Sequence, residues 1–149
     1  MSPQCLESNM SPKMRHKSRK ILVQAMYQWA MTGDNLSAIE MQFRSTNEMQ
    51  HLDDEYFHEL LHAIPAQISE LDKTFQPFLQ RAVDEISPVE LAVLRVGTYE
   101  LKERLDIPYR VVINEGVEMA KTFGAEDAHK FVNSVLDRVA QTIRKDEQK

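Results

Sequence analysis

The stretch Ser87–Asp137 reads SPVELAVLRVGTYELKERLDIPYRVVINEGVEMAKTFGAEDAHKFVNSVLD. It opens with Ser87 at an N-cap position, Pro88 at the first helical position and Glu90 at the third. That capping-box pattern satisfies the N–H groups that every helix start leaves open. The helix it predicts is apolar on most sides, through Val89, Leu91, Ala92, Val93, Leu94, Val96, Tyr99 and Leu101. So apolar a helix belongs at the centre of its bundle, covered by others. Asp106-Ile107-Pro108 predicts the next start, with Pro108 in the first turn and Val112, Ile113, Val117 and Ala120 as the buried stripe. Phe123-Gly124 ends that helix. Ala128, Phe131, Val132, Val135, Leu136, Val139 and Ile143 then recur at helical spacing.

Working upstream, Leu22, Ala25, Met26 and Trp29 form a stripe closed by Gly33-Asp34-Asn35, and Leu36, Ile39 and Phe43 mark a short helix. Phe57, Leu61, Ile64, Ile68, Leu71 and Phe75 follow, with Pro65 expected to kink or divide the pattern and Pro77 marking another break. No stretch alternates with period two. The expectation is an all-helical protein of two packed bundles, about 15–80 and 84–145. A polar tail, residues 1–14, precedes them, with Met14 opening the ordered part.

Composition narrows the function. The chain has 149 residues and a single cysteine, Cys5, which excludes an internal disulfide and a four-cysteine zinc site. Only four glycines occur, and neither GxGxxG nor GxxxxGK[ST] is present. No apolar run approaches the roughly 20 residues that span a bilayer, and the N-terminus lacks the apolar core of a secretory signal. A cytoplasmic protein is expected. The net charge of −5 is uneven. From Ser8 to Gly33 there is no acid, while Lys13, Arg15, Lys17, Arg19 and Lys20 are basic. A positive end on an acidic body points to a localised anion site.

At about 100° per residue, His16, Lys20, Val23 and Tyr27 lie opposite the Leu22/Ala25/Trp29 stripe, flanked by Lys17 and Arg19. Cations neutralise phosphates, and a tyrosine ring offers a platform for an unpaired base. A solvated helix face with a stray tyrosine is the bland alternative.

His58-Glu59-Leu60-Leu61-His62 matches H-E-x-x-H, in which two imidazoles one turn apart share a zinc ion and the glutamate activates water. Glu85 is a formal candidate for a third ligand. The motif fixes only three positions, Pro65 follows closely, and no strand is present to align a peptide. It is therefore read as chance, with no catalytic residue, metal or cofactor expected, and any metal binding by the two histidines as adventitious.

The capped LRVGTYEL helix, DIPYRVVINEGVEMAK and FGAEDAHKFVNSVLD, together with RHKSRKILVQAMYQW near the start, resemble the NusB family of bacterial antitermination factors over about residues 15–145. The resemblance implies two perpendicular three-helix bundles. It implies a non-enzymatic adaptor that binds boxA, a short single-stranded RNA element, together with NusE, a small-subunit ribosomal protein, within the transcription elongation complex of ribosomal RNA operons. Rival readings are a helical protein-interaction module without RNA binding and a zinc hydrolase on HELLH. A homodimer is also compatible with the exposed apolar residues.

Carried onto this chain, the RNA face comprises Arg15, His16, Lys17, Arg19, Lys20 and Tyr27, with Phe123, Asp127 and Phe131 from FGAEDAHKF. Phe123 and Phe131 have core packing as their alternative role, and Asp127 helix capping. The NusE surface implied is Glu85, Glu90 and Arg95, where Glu90 also serves the capping box and Arg95 has a neighbouring acid as its alternative partner. The chain departs from the family in three respects. Its arginine cluster is thin, Ser134 stands where the family has Gly, and Gly116 stands where it has Ala, at a helical cost of about 1 kcal/mol.

Overall fold

The computed structural model describes residues 12–148. Among them are seven α-helices and no strand: α1 Pro12–Thr32, α2 Leu36–Thr46, α3 Asp54–Ala66, α4 Ile68–Phe75, α5 Pro88–Glu103, α6 Tyr109–Phe123 and α7 Ala128–Ile143. Short 3-10 turns sit at Met49–His51, Gln76–Phe78, Val83–Glu85 and Asp146–Gln148. No described helix is long and apolar enough to cross a membrane. The all-helical expectation is met. α1 is already helical at Pro12, the first described residue, and the rest of the expected tail, with Cys5, lies outside the described residues. The chain divides into two compact units, one up to Ala63 and one from Ile64 onward.

In the first unit Gly33 takes a left-handed conformation, φ 69°, which turns the chain out of α1. Asn35 then caps α2, its side-chain oxygen accepting from Ser37 N–H at 2.9 Å and Ala38 N–H at 3.2 Å. Asp53 does the same for α3, accepting from Tyr56 N–H at 3.1 Å. Ile39, Tyr56, Phe57, Leu60 and Leu61 form the core against Leu22, Ala25 and Met26. Pro65 lies in the last turn of α3 without ending it, and the break follows at Gln67. A proline there forfeits one backbone bond close to where the ladder stops in any case.

In the second unit α5, α6 and α7 pack on one another, and α4 packs on α5 and α7. Ser87 caps α5 as the sequence predicts, its hydroxyl accepting from Glu90 N–H at 3.3 Å. Pro108 takes the N-cap of α6 rather than its first turn. Val117 and Ile143 are more exposed than their stripes predict, while Gly116 and Met119 are buried. Leu136 of α7 sits in a notch made by two glycines. A Cβ on Gly97 would come within 2.9 Å of its methyls, and one on Gly116 within 2.6 Å. The helical penalty of Gly116 is thus the condition for seating a full leucine where three helices converge.

The C-terminal end of α5 is closed by Arg144, only 5% exposed. Its Nε donates to Leu101 O at 2.7 Å, Nη1 to Ile107 O at 3.0 Å, and Nη2 to Glu100 O at 3.1 Å and Arg104 O at 3.0 Å. Nη1 also pairs with Glu147, whose other oxygen accepts from Tyr109 N–H at 2.7 Å at the start of α6. That backbone bond, aided by Arg144, holds the Glu147 carboxyl below its usual pKa.

Two stability predictions follow from this packing. Arg144→Met should lower unfolding free energy by on the order of 3 kcal/mol, because buried carbonyls lose charged donors. Arg144→Lys should recover little of it, since an ammonium cannot reproduce the planar fork. Urea denaturation measures both. A Cβ at Gly97 and one at Gly116 press on the same Leu136 Cδ1 from two different helices, α5 and α6. The Gly97→Ala, Gly116→Ala double variant should therefore be less stable than the two single effects sum to, by about 0.5 kcal/mol or more in a double-mutant cycle.

Candidate nucleic-acid interface

The buried side of α1 is wider than the stripe expected from sequence. Ser18, Arg19, Ile21, Leu22, Val23, Ala25 and Met26 are all buried, and Trp29 is only half-buried. Val23, expected on the solvent face, is 2% exposed, and Arg19 is 3% exposed. Both corrections have one cause: α1 is covered over more than half its circumference, so residues flanking the apolar stripe go inside with it.

The exposed face is correspondingly narrower. It runs Lys13, Lys17, Lys20, Gln24, Tyr27, Met31, with steps of four and three residues that keep one line along a helix. Lys20 is half-buried, as is His16 beside it, and Tyr27 is 39% exposed. Lys13 is the residue that sequence reasoning left out of the site, because the helix was expected to begin after it.

The two arginines serve the interior of this unit. Arg15 Nε donates to Asp53 Oδ2 at 2.7 Å, and its guanidinium lies 4.8 Å from the Tyr56 ring centre. The Arg19 guanidinium lies 5.3 Å from the same ring. Ser18 completes the joint, its hydroxyl donating to Met14 O at 3.0 Å and accepting from Asp53 N–H at 2.6 Å. Asp53 thus fixes Arg15 with one oxygen and caps α3 with the other. The arginines set the position of the α1 N-terminal turns, and the lysines face outward from them.

In the second unit Phe123 and Phe131 are half-buried, and the Arg81 guanidinium lies 5.2 Å from the Phe131 ring centre. Asp127 is exposed, 3.6 Å from Lys130. It occupies the N-cap of α7 but makes no side-chain capping bond, so the capping role considered for it is not met. Glu85 is exposed in its 3-10 turn, and Glu90 is half-buried at the third position of α5. Arg95 is committed to Asp72 of α4 in a two-point bond of 2.9 and 2.8 Å.

The HELLH histidines meet an acid the sequence did not suggest. His58 Nδ1 lies 2.8 Å from Glu40 Oε2, and His62 Nε2 lies 2.8 Å from Glu40 Oε1. Arg44 Nη2 reaches Oε2 at 2.8 Å and also pairs with Asp54. Burial opposes ionisation of Glu40, but hydrogen bonds from His62, His58 and Arg44 outweigh it and lower its pKa from 4.5 to about 2. The third partner is Glu40 from α2, in place of the Glu85 considered from sequence.

Comparison with known proteins agrees with this architecture. The profile of the NusB family matches residues 16–141. The transcription antitermination protein NusB of Alcanivorax borkumensis is 52% identical over 134 residues, covering 90% of this chain and 89% of its own. That of Saccharophagus degradans is 54% identical over 138 residues, covering 92% of each. Among solved structures, NusB of T. maritima superposes with a TM-score of 0.79 at 30% identity, covering 90% of this chain and 96% of its own. A crystal structure of antitermination factors NusB and NusE in complex with double-stranded RNA gives 0.75 at 26%, covering 88% of this chain and 98% of that one. With helices in the expected order and relatives matched over nearly their whole length, the chain belongs to the NusB family.

Proposed function

We propose that this protein is a cytoplasmic, non-enzymatic antitermination factor that binds boxA RNA together with NusE and joins the transcription elongation complex on ribosomal RNA operons. The observation that carries the RNA reading is the line Lys13–Lys17–Lys20–Tyr27 on α1, exposed but for the half-buried Lys20. Three ammonium groups along one helix face neutralise successive phosphates, and Tyr27 provides a stacking surface at the far end. The reading is supported by the NusB relatives and by the neighbouring structure that contains NusE and RNA.

Within this proposal the residues divide by role. Lys13, Lys17 and Lys20 contact phosphate, His16 flanks them, and Tyr27 stacks. Arg15 and Arg19 are positioning residues, because Asp53 and Tyr56 already engage them. Phe123 and Phe131 offer half-exposed rings in the second unit as a separate contact, and Asp127 orients RNA by repelling phosphate rather than by binding it. Glu85 and Glu90 face NusE, a ribosomal protein expected to be basic, while Arg95 acts through its bond to Asp72 by fixing the α5 surface. Two modest surfaces acting on one RNA yield a larger joint affinity.

The test is titration with a boxA oligonucleotide and a scrambled control, single- and double-stranded, with and without NusE, across salt. Selective binding that NusE strengthens and salt weakens is expected. Lys17→Ala and Lys20→Ala should each reduce the salt slope by about 0.7 for single-stranded RNA. Tyr27→Ala should weaken binding by on the order of 1 kcal/mol or more with the slope unchanged. Arg19→Ala should lower thermal stability as well as RNA affinity, unlike the lysine variants. Unaltered affinity in all the lysine and tyrosine variants would sink the assigned face, and binding of NusE without any RNA association would favour a protein-interaction module.

A further inference from the structure

We propose that Glu40, His58 and His62 form a binding site for one divalent transition-metal ion of the zinc class, which cross-links α2 to α3. His58 and His62 project from the same face of α3 one turn apart, with ring centres 4.7 Å apart. Glu40 on α2 presents a separate oxygen to each ring, at 2.8 Å in both cases. Two imidazoles and a carboxylate are a common zinc donor set. One ligand atom from each residue can be chosen so that all three lie within 4.8 Å of one another. Ligands on a tetrahedral zinc ion stand about 3.3 Å apart, so small side-chain rotations admit an ion where the hydrogen bonds now run.

The chemistry of the cluster is consistent with that exchange. An imidazole ligates through the nitrogen that faces Glu40 when its proton sits on the other ring nitrogen. Glu40 is 12% exposed and anionic, while His58 is 61% exposed, which leaves the outer coordination position to water. Arg44 shares Glu40 with the histidines, but it also pairs with Asp54. Asp54 can therefore hold the guanidinium while Glu40 Oε1 and the rings take the metal. The third donor, Glu40, comes from α2 and the two histidines from α3, so a bound ion would cross-link the two helices.

The experiment uses the untagged full-length chain carrying Cys5→Ser, so that neither a tag nor the thiol competes, titrated calorimetrically with zinc chloride. Thermal unfolding is followed in parallel. One zinc per chain and a melting temperature that rises with zinc concentration are expected. His58→Ala and His62→Ala should each weaken binding by about tenfold or more and remove the thermal shift. His51→Ala, exposed in the Met49–His51 turn, should change neither. His58 is mostly exposed, so its alanine variant keeps the fold and decides the matter even where Glu40→Gln destabilises the unit. Absence of saturable one-to-one binding, or binding unaltered in both His58→Ala and His62→Ala, would overturn the proposal.

Discussion

The Arg144 guanidinium carries the second unit. The turn after α5 satisfies its last carbonyls only in part, Arg104 N–H bonding Glu100 O and Ile107 N–H bonding Arg104 O, and buried carbonyl lone pairs left without further donors cost stability. One planar fork from α7 satisfies Glu100, Leu101 and Arg104, then reaches across to Ile107, and its charge is balanced by Glu147. That arrangement fixes where α5 stops, where the turn into α6 lies and how α7 closes over both.

The first unit applies a related logic to its cations. Five basic residues crowd the start of α1, and a sequence treats them as one patch. The fold separates them by the acid at Asp53 and the ring of Tyr56. Arginine, which bonds in a plane and stacks on aromatic faces, is drawn inward, while lysine, a strongly hydrated point charge, stays at the surface. The result is a rigid rod whose outward charges are held in register by inward ones.

The helical stripes from Leu22 to Val139 are legible because helical period is a local property, though the break between α3 and α4 falls at Gln67 rather than at Pro65. The capping of α5 by Ser87 is equally local. Features that escaped depend on partners far along the chain. Arg15 meets Asp53 across 38 positions, and Arg144 meets carbonyls 37 to 44 positions away. Glu40 meets His58 and His62 across 18 and 22. The width of the buried face of α1 was not legible either, because a projection of one helix does not record how many neighbours cover it. A projection of α1 alone therefore sets Val23 and Arg19 on the solvent side, whereas both are buried.

The glycine notch around Leu136 bears on how this chain can drift over generations. Positions 97, 116 and 136 share one small volume, so none of them varies on its own terms. The family resemblance sets alanine at the position of Gly116, and a lineage with that alanine has to accommodate its leucine differently, by a turned rotamer or a smaller side chain. The steric constraint is thus shared by three helices rather than owned by any one residue.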